Sequence, residues 1–146
     1  MRLQIKKLRE TATIPTRATA GSAGMDLYAC IDSPVVAEPF QTVVIPTGIA
    51  IALPDPSHAA FVYARSGLAI KHGLAPSNCV GVIDSDYRGE ILVGLTNHSV
   101  TAYEIVPGER IAQMIIAPVC LPEIIEAGEL DETGRGAGGF GSTGRA

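Results

Sequence analysis

The chain has 146 residues, which is enough for one domain with a single core but too few for two. Its net charge of −4 excludes a general nucleic-acid surface, because such surfaces depend on clustered Lys and Arg, so any phosphate site must be local. No stretch resembles a signal peptide or reaches the ~20 apolar residues of a membrane span, and we expect a cytoplasmic protein with no membrane partner.

The interior is predicted to be aliphatic, since 47% of the residues are hydrophobic but only 5% are aromatic and Trp is absent. On a small domain this composition leaves apolar surface to cover, which favours a subunit interface. Cys30, Cys79 and Cys120 are odd in number, unclustered and flanked by apolar residues. They are therefore predicted to be buried free thiols in a reducing compartment.

Short strand patterns separated by Gly and Pro turns dominate the chain. An opening strand around Leu3 and Ile5 precedes a loop over 11–24, and Asp26 begins a short strand directly after the loop. On the residues alone, Asp26 could equally be an acidic residue of an ordinary turn. Further strands are predicted over 43–45, 49–53, 60–64, 91–95, 103–106 and 111–119, whereas 122–132 has no clear period. This pattern is typical of an all-β sandwich or barrel.

A short helix is predicted over 67–72, with Ser66 as its N-cap and Gly73 at its end. Arg65 precedes the N-terminus of this helix, where free N–H groups and the positive end of the dipole attract anions. These residues are candidates for a phosphate site, although on the residues alone an ordinary N-cap is the simpler explanation. Gln113 is the polar residue of the last strand pattern, and its amide needs a partner if it is buried.

The stretch 81–91 places two acids, a phenol and a guanidinium between two apolar strand patterns, and we interpret it as a β-hairpin that carries a site. Asp84 lies at the end of the first apolar run, where we expect its carboxylate to be partly buried. Partial desolvation makes a carboxylate a better general base than it is in water. Tyr87 offers a flat face and a hydroxyl within a few residues of this carboxylate.

Glycine makes up more than half of residues 134–144, which by composition alone indicates a flexible end. Disorder alone does not account for Phe140 among glycines, or for Arg135, Ser142 and Thr143. We therefore hypothesise a lid in which Phe140 stacks on a base while Arg135 and the two hydroxyls meet phosphate. Its closure must be marginal, because ordering about ten residues costs on the order of 10–20 kcal/mol.

Five stretches resemble, in the same order, the five motifs of the trimeric dUTP pyrophosphatases (dUTPases), and together they span nearly the whole chain. They are 23–29 with Asp26, 65–69 from Arg65, 81–91 with Asp84 and Tyr87, 108–114 with Gln113, and 135–144 with Phe140. The resemblance implies a distorted jelly-roll β-barrel with one short helix over 1–133, followed by a flexible glycine-rich C-terminal arm over 134–146. It also implies a homotrimer in which each arm closes over the site of another subunit, so that active sites are shared.

The resemblance further implies hydrolysis of dUTP to dUMP and pyrophosphate with Mg²⁺ as cofactor, which keeps uracil out of DNA and supplies dUMP for thymidylate synthesis. Asp84 would be the catalytic base, and Asp26 would hold Mg²⁺ through coordinated water. The implied substrate-binding residues are Arg65, Ser66, Gly67, Gln113, Arg135, Ser142 and Thr143 at the phosphates, Asn78 and Phe140 at uracil, Tyr87 at the deoxyribose, and Gly81, Ile83 and Gly141 elsewhere on the nucleotide.

Two other functions stay open. A dCTP deaminase, or a bifunctional relative, shares this fold, but the stretch with Asp84 and Tyr87 and the glycine-rich arm match the hydrolase pattern. A non-catalytic nucleotide-binding regulator would be marked by the loss of Asp84, which is present.

Overall fold

The computed structural model describes residues 1–139, which fold almost entirely into short antiparallel strands. This range contains eleven strands and one helix, which confirms the predicted all-β class with a single short helix. The elements are β1 Gln4–Lys7, β2 Met25–Tyr28, β3 Val35–Ala37, β4 Thr42–Pro46, β5 Ile49–Ala52, β6 His58–Tyr63, α1 Ser66–His72, β7 Leu74–Pro76, β8 Gly81–Ile83, β9 Leu92–Asn97, β10 Tyr103–Ile105 and β11 Arg110–Pro118.

The strands form four antiparallel sheets, which over residues 1–139 do not join into one closed barrel. The largest has the order β2, β11, β6, β8 and the second has the order β4, β9, β7, while β1 pairs with β5 and β3 with β10. The longest strand, β11, lies between β2 and β6. Gln113 on β11 therefore faces Asp26 of β2 on one side and Tyr63 of β6 on the other. This register brings three separate parts of the chain to one place.

Aliphatic side chains fill the space between the sheets. Leu27, Ile45, Leu95, Ile105 and Met114 are completely buried, and burial of one such side chain contributes about 1.5–3 kcal/mol. The alternation of apolar residues in the strand patterns thus corresponds to faces turned towards one core, and the predicted aliphatic interior is confirmed.

The stretch 81–91 is not a β-hairpin, and that prediction is wrong. β8 pairs with β6 in the largest sheet, whereas β9 pairs with β4 and β7 in the second sheet. The loop between β8 and β9 therefore connects two sheets. Alternating apolar residues indicate that a segment is a strand, but they do not determine its partner, which depends on contacts made far away in the chain.

The helix α1 begins one residue earlier than predicted. Arg65 is its N-cap, with φ −87° and ψ 130°, no side-chain hydrogen bond caps the N-terminus, and Ser66 is the first helical residue. Gly73 ends the helix as predicted, in the left-handed region at φ 68°, with its N–H donating to the carbonyls of Ala69 and Leu68. None of the helices described between residues 1 and 139 is long and apolar enough to cross a membrane.

The three cysteines are free thiols, but only Cys30 is buried, so the prediction of burial is wrong for Cys79 and Cys120. Their apolar neighbours are themselves exposed, Val80 by 38% and Leu121 by 71%. At these two positions, apolar neighbours in the sequence therefore did not indicate a buried cysteine.

Candidate active site

A cavity of about 250 Å³ opens beside the loop that follows β8. It brings together five of the predicted site residues, namely Asn78, Gly81, Ile83, Asp84 and Tyr87. β8 supplies its floor through Gly81 and Ile83, and the first residues of β9 complete the wall. We call this the Asp84 cavity. Carboxylate, amide and phenol groups thus line a single concave surface.

The carboxylate of Asp84 is exposed, so the expectation of partial burial is wrong for the single chain. The chain leaves the sheet after Ile83, and Asp84 begins a turn in which its carbonyl accepts the N–H of Tyr87 at 3.2 Å. The side chain therefore stands at the open rim of the cavity. Any desolvation of this carboxylate has to come from what covers the cavity.

Tyr87 is 46% exposed and its ring lines the cavity. Its hydroxyl donates to the carbonyl of Glu90 at 3.1 Å, and the carboxylate of Glu90 in turn accepts the N–H of Gly48 at 2.8 Å. The guanidinium of Arg88 donates to the carbonyls of Ser85 and Tyr87, at 2.7 and 2.9 Å. These hydrogen bonds stabilise the conformation of the loop. Two residues that take part in them, Arg88 and Glu90, are not among the predicted site residues.

Asn78 lies at the other side of the cavity, in a tight turn between β7 and β8. Its carbonyl accepts the N–H of Val80 at 2.6 Å, and Cys79 between them has the left-handed φ of 62°. A β-carbon on Gly81 would lie 3.2 Å from Cβ of Val62 and 3.3 Å from Nδ2 of Asn78. Glycine at position 81 thus leaves room for the amide of Asn78 above the strand.

A second cavity, of about 380 Å³, gathers the other predicted residues of the described chain. Asp26, Arg65, Ser66, Gly67 and Gln113 all line it. They come from β2, from the N-terminal end of α1 and from β11, which the register of the largest sheet places side by side. We call this the Arg65 cavity. Among its polar groups, the guanidinium of Arg65 and the hydroxyl of Ser66 can donate to an anion.

Asp26 is almost fully buried, and its carboxylate accepts hydrogen bonds from two arginines. Its Oδ1 accepts from Nε of Arg65 at 2.8 Å, and its Oδ2 accepts from Nη1 of Arg110 at 3.2 Å. Arg65 also donates to the carbonyl of Arg110 at 3.3 Å. Arg110 is not among the predicted site residues, although it lies in the stretch 108–114 close to Gln113. Its spacing from Asp26 along the chain, 84 residues, hides the contact from local patterns.

The amide of Gln113 has the partner that its position in an apolar strand requires, since Nε2 donates to the carbonyl of Ala64 at 2.9 Å. Gly24 lies against the other end of this amide, and a β-carbon there would lie 2.5 Å from Oε1 of Gln113. The prediction that Gln113 needs a polar partner is confirmed. Gly24 and Gln113 together form one wall of the Arg65 cavity.

The two cavities have no lining residue in common. Arg135 lines neither of them, and its Nε instead donates to the carbonyl of Gly138 within a tight turn, at 2.9 Å. The remaining predicted residues, Phe140, Gly141, Ser142 and Thr143, lie outside the described residues. Within residues 1–139, the structure thus places ten of the predicted residues in two groups, five at each cavity.

Comparison with known proteins identifies the family. The family model described as dUTPase matches residues 10–144 of this chain. The chain belongs to the dUTPase family. The deoxyuridine 5'-triphosphate nucleotidohydrolase of Desulfitobacterium hafniense is 57% identical over 131 residues, which cover 90% of this chain and 87% of that protein. Its counterpart in Polynucleobacter necessarius is 49% identical over 146 residues, covering 99% of this chain and 98% of the relative.

Solved dUTPases have the same fold. A mutant dUTPase of Staphylococcus bacteriophage 80alpha with dUpNHpp superposes with a TM-score of 0.89 at 28% identity, covering 99% of both chains. A mutant dUTPase of phage phi11 of S. aureus superposes with a TM-score of 0.81 at 25% identity, covering 90% of this chain and 100% of that one, and is described as coordinating a structural Mg(II) ion. This likeness confirms the predicted jelly-roll-like architecture.

The residues of this dUTPase fit Mg²⁺ only if the ion keeps water and substrate oxygens as its direct ligands. Among residues 1–139 no group of three His, Cys, Asp or Glu side chains is placed to hold a metal ion. Asp26 has one guanidinium bond on each oxygen, which leaves a second lone pair on each for a bound water. Mg²⁺ dehydrates reluctantly and is often held this way beside phosphates.

Proposed function

We propose that the chain hydrolyses dUTP to dUMP and pyrophosphate with Mg²⁺ as cofactor. The observation that carries this proposal is the division of the site residues by chemistry. The Asp84 cavity has the amide, the phenol and the carboxylate that a nucleoside and an attacking water need, whereas the Arg65 cavity has the donors that a triphosphate needs.

The Asp84 cavity would bind uracil and deoxyribose. Asn78 has an amide that can both donate and accept, as the edge of uracil requires, and backbone at Gly81 and Ile83 lines the same wall. Tyr87 would pack its ring against C2′ of the sugar, where UTP carries a hydroxyl that dUTP lacks. A ring held in this place excludes ribose by contact.

Asp84 would take a proton from water as that water attacks the α-phosphorus in line with the leaving group. The new bond joins the water oxygen to the α-phosphorus, the bond between this phosphorus and the bridging oxygen breaks, and pyrophosphate leaves with the bonding electrons. The exposed position of Asp84 at the rim of its cavity suits this role, because a water can approach it there.

Arg65, Ser66, Gly67 and Gln113 would bind the phosphates. Asp26 orients Arg65 by accepting its Nε, and Nη1 donates to the carbonyl of Arg110, so Nη2 would donate to a ligand. Asp26 would also hold the hydrated Mg²⁺, and the bound ion would offset the negative charge that develops on the leaving pyrophosphate.

The proposal includes a homotrimer with shared sites. Among residues 1–139, no Arg or Lys lines the Asp84 cavity. A triphosphate bound there would need cations from elsewhere, and Arg65 in the second cavity of another copy would supply one. Apolar side chains are also exposed on the described surface, among them Val44 by 62%, Val82 by 61% and Ile70 by 82%. Contact between copies would cover such surface and complete the site.

A flexible arm over 134–146 would close the site, with the body of the domain over 1–133. Residues Leu121, Ile124 and Leu130, which precede the arm, are exposed by 71%, 94% and 87% and do not pack on their own chain. Contact with a neighbouring subunit would cover these apolar side chains. Arg135, Phe140, Gly141, Ser142 and Thr143 would then reach the nucleotide in the site of a neighbour.

The proposed activity keeps uracil out of DNA and supplies dUMP for thymidylate synthesis. We place it in the cytoplasm, a reducing compartment in which the free thiols of Cys30, Cys79 and Cys120 would stay reduced.

A pyrophosphate-release assay on dUTP, dCTP, dTTP, dATP, dGTP and UTP, run with and without Mg²⁺, tests the function. We expect release from dUTP to be much faster than release from any of the others, UTP included, with stimulation by the metal. Ammonia released from dCTP would instead indicate deamination, and binding of dUTP without turnover would indicate a regulator.

A further inference from the structure

Two neighbours define where the ring of Tyr87 lies in the Asp84 cavity. The carbonyl of Glu90 accepts its hydroxyl at 3.1 Å. The other neighbour is Gly89, which lies directly against the ring. Any role of Gly89 at the sugar rests on the proposed function, in which Tyr87 discriminates deoxyribose from ribose.

Gly89 leaves space that the ring of Tyr87 occupies. A β-carbon at position 89 would lie 2.5 Å from Cζ and 3.0 Å from Cε2 of Tyr87, and closer still to the phenolic oxygen. Such distances are shorter than van der Waals contact, so any side chain here would collide with the ring in its present position. The φ of Gly89 lies outside the left-handed region, and alanine therefore fits the backbone. The ring, rather than the turn, requires this glycine.

The backbone beside Gly89 is anchored more firmly than the ring. The carboxylate of Glu90 accepts the N–H of Gly48 at 2.8 Å. The carbonyl of Ile91 accepts from both the N–H and the hydroxyl of Thr47, at 3.1 and 2.7 Å, and Thr47 is only 1% exposed. The ring of Tyr87 is 46% exposed, so solvent rather than protein lies beside much of it. An added methyl group is therefore expected to displace the ring.

We propose that Gly89 is a specificity-determining positioning residue for the discrimination of dUTP from UTP. Because position 89 has no side chain, the ring of Tyr87 can lie where its phenol is close to C2′ of the sugar. Gly89 itself touches neither the sugar nor the reacting atoms, and it acts only through Tyr87. A ring displaced by a methyl group no longer occupies the space that a 2′-hydroxyl needs.

Gly89→Ala tests this proposal through the ratio of kcat/KM for dUTP to that for UTP. We expect the ratio to fall about 10-fold or more, since a misplacement of ~1 Å can change catalytic terms by up to about 10²-fold. Gly21→Ala is the matched control, because a β-carbon at position 21 would meet nothing within 4 Å. It should leave the ratio unchanged. A ratio that Gly89→Ala leaves at the wild-type value would overturn the proposal.

The same substitution in a Tyr87→Ala background separates action through the ring from any other effect. With no ring to displace, Gly89→Ala should leave the already lowered ratio of Tyr87→Ala unchanged, and a second drop would overturn the proposal. Thermal unfolding of Gly89→Ala, Tyr87→Ala and the double variant shows whether each of them folds. If Gly89→Ala unfolds alone but folds beside Tyr87→Ala, the collision with the ring is demonstrated, and if both unfold the proposal is refuted.

Failure of the underlying function has a different signature. If the wild type does not prefer dUTP, or if Tyr87→Ala keeps the preference, the proposed role of Tyr87 fails and the role of Gly89 falls with it. If Tyr87→Ala loses the preference and Gly89→Ala retains it, only the role of Gly89 is refuted.

Discussion

Asp84 and Glu90 both line the Asp84 cavity, and their surroundings separate their roles. The carboxylate of Glu90 accepts the N–H of Gly48 and lies 3.7 Å from the guanidinium of Arg9, so it anchors the loop. Asp84 is exposed at the rim, where a water can reach it. A general base needs a lone pair within hydrogen-bond reach of the proton that it removes, which favours Asp84.

We expect Asp84→Asn to fold and to bind nucleotide, but to lose about 10²–10⁴ in kcat, because an amide of almost the same shape cannot take the proton. The measurements are pyrophosphate release from dUTP and the Kd of a non-hydrolysable analogue. Asp86→Asn, in the same loop and also exposed, is the control and should keep its activity. Near wild-type turnover by Asp84→Asn would exclude this residue as the base.

Asp26 stabilises two guanidinium groups that otherwise repel each other. In Asp26→Asn the charge disappears while the shape remains, so we expect the free energy of unfolding to fall by about 1–3 kcal/mol. We also expect KM for dUTP to rise, because a neutral amide with one oxygen cannot hold Arg65 and Arg110 together as the carboxylate does. Urea denaturation and steady-state kinetics measure these effects, with the exposed Asp32→Asn as control. Unchanged stability would show that the two ion pairs contribute nothing.

Tyr103 of β10 ties the turn before β11 to the end of α1. Its ring packs on His72 with centroids 4.9 Å apart, and its hydroxyl donates to Oε1 of Glu109 at 2.5 Å. Burial, followed by the hydrogen bond to Glu109 and the charge of that carboxylate, raises the pKa of Tyr103 to about 12. The carboxylate of Glu109 also accepts the N–H of Val106 at 3.0 Å, so it stabilises this turn at two points.

A raised pKa in the folded state means that folding favours the neutral phenol. Its contribution to stability is complete below the unfolded pKa of 10.0 and is lost as the pH rises through about 12. The difference in the free energy of unfolding between wild type and Tyr103→Phe is therefore expected to shrink between these pH values. Denaturation curves at several pH values measure it, with Tyr63→Phe as control. A difference that stays constant would contradict the assignment.

The proposed shared site would be a property of the assembly, because Asp84 and Arg65 line separate cavities of the described chain. Two inactive variants can test it. One carries Asp84→Asn with an intact arm, and the other ends after Thr133 with Asp84 intact. Unfolded and refolded together, they should regain pyrophosphate release, because some mixed sites combine an intact Asp84 from one chain with an intact arm from the other.

Each variant refolded alone is the control and should stay inactive. Light scattering should show a trimer in every sample, so that lost activity is not lost assembly. If the mixture forms trimers and stays inactive, then Asp84 and the arm come from the same chain, and the shared architecture is refuted while the chemistry at Asp84 stands.

Local sequence patterns correctly predicted those features of the fold that depend only on neighbouring residues. Alternating apolar residues indicated β5 and β9, because side chains of a strand point to opposite faces. Gly73 marked the end of α1, because glycine accepts a left-handed backbone. The short β3, Val35–Ala37, was not predicted, since three residues carry too little periodicity.

The features beyond the reach of local patterns depend on residues that are distant in the chain. The sequence by itself determined the strand content and the aliphatic core, and it supplied the candidate site residues. Only the tertiary structure decided that β8 and β9 join different sheets, that Asp26 holds Arg110, and that the site residues divide between two cavities. The physical reason is that the pairing of strands and of charges is selected by the packing of the whole core, which no single stretch of residues contains.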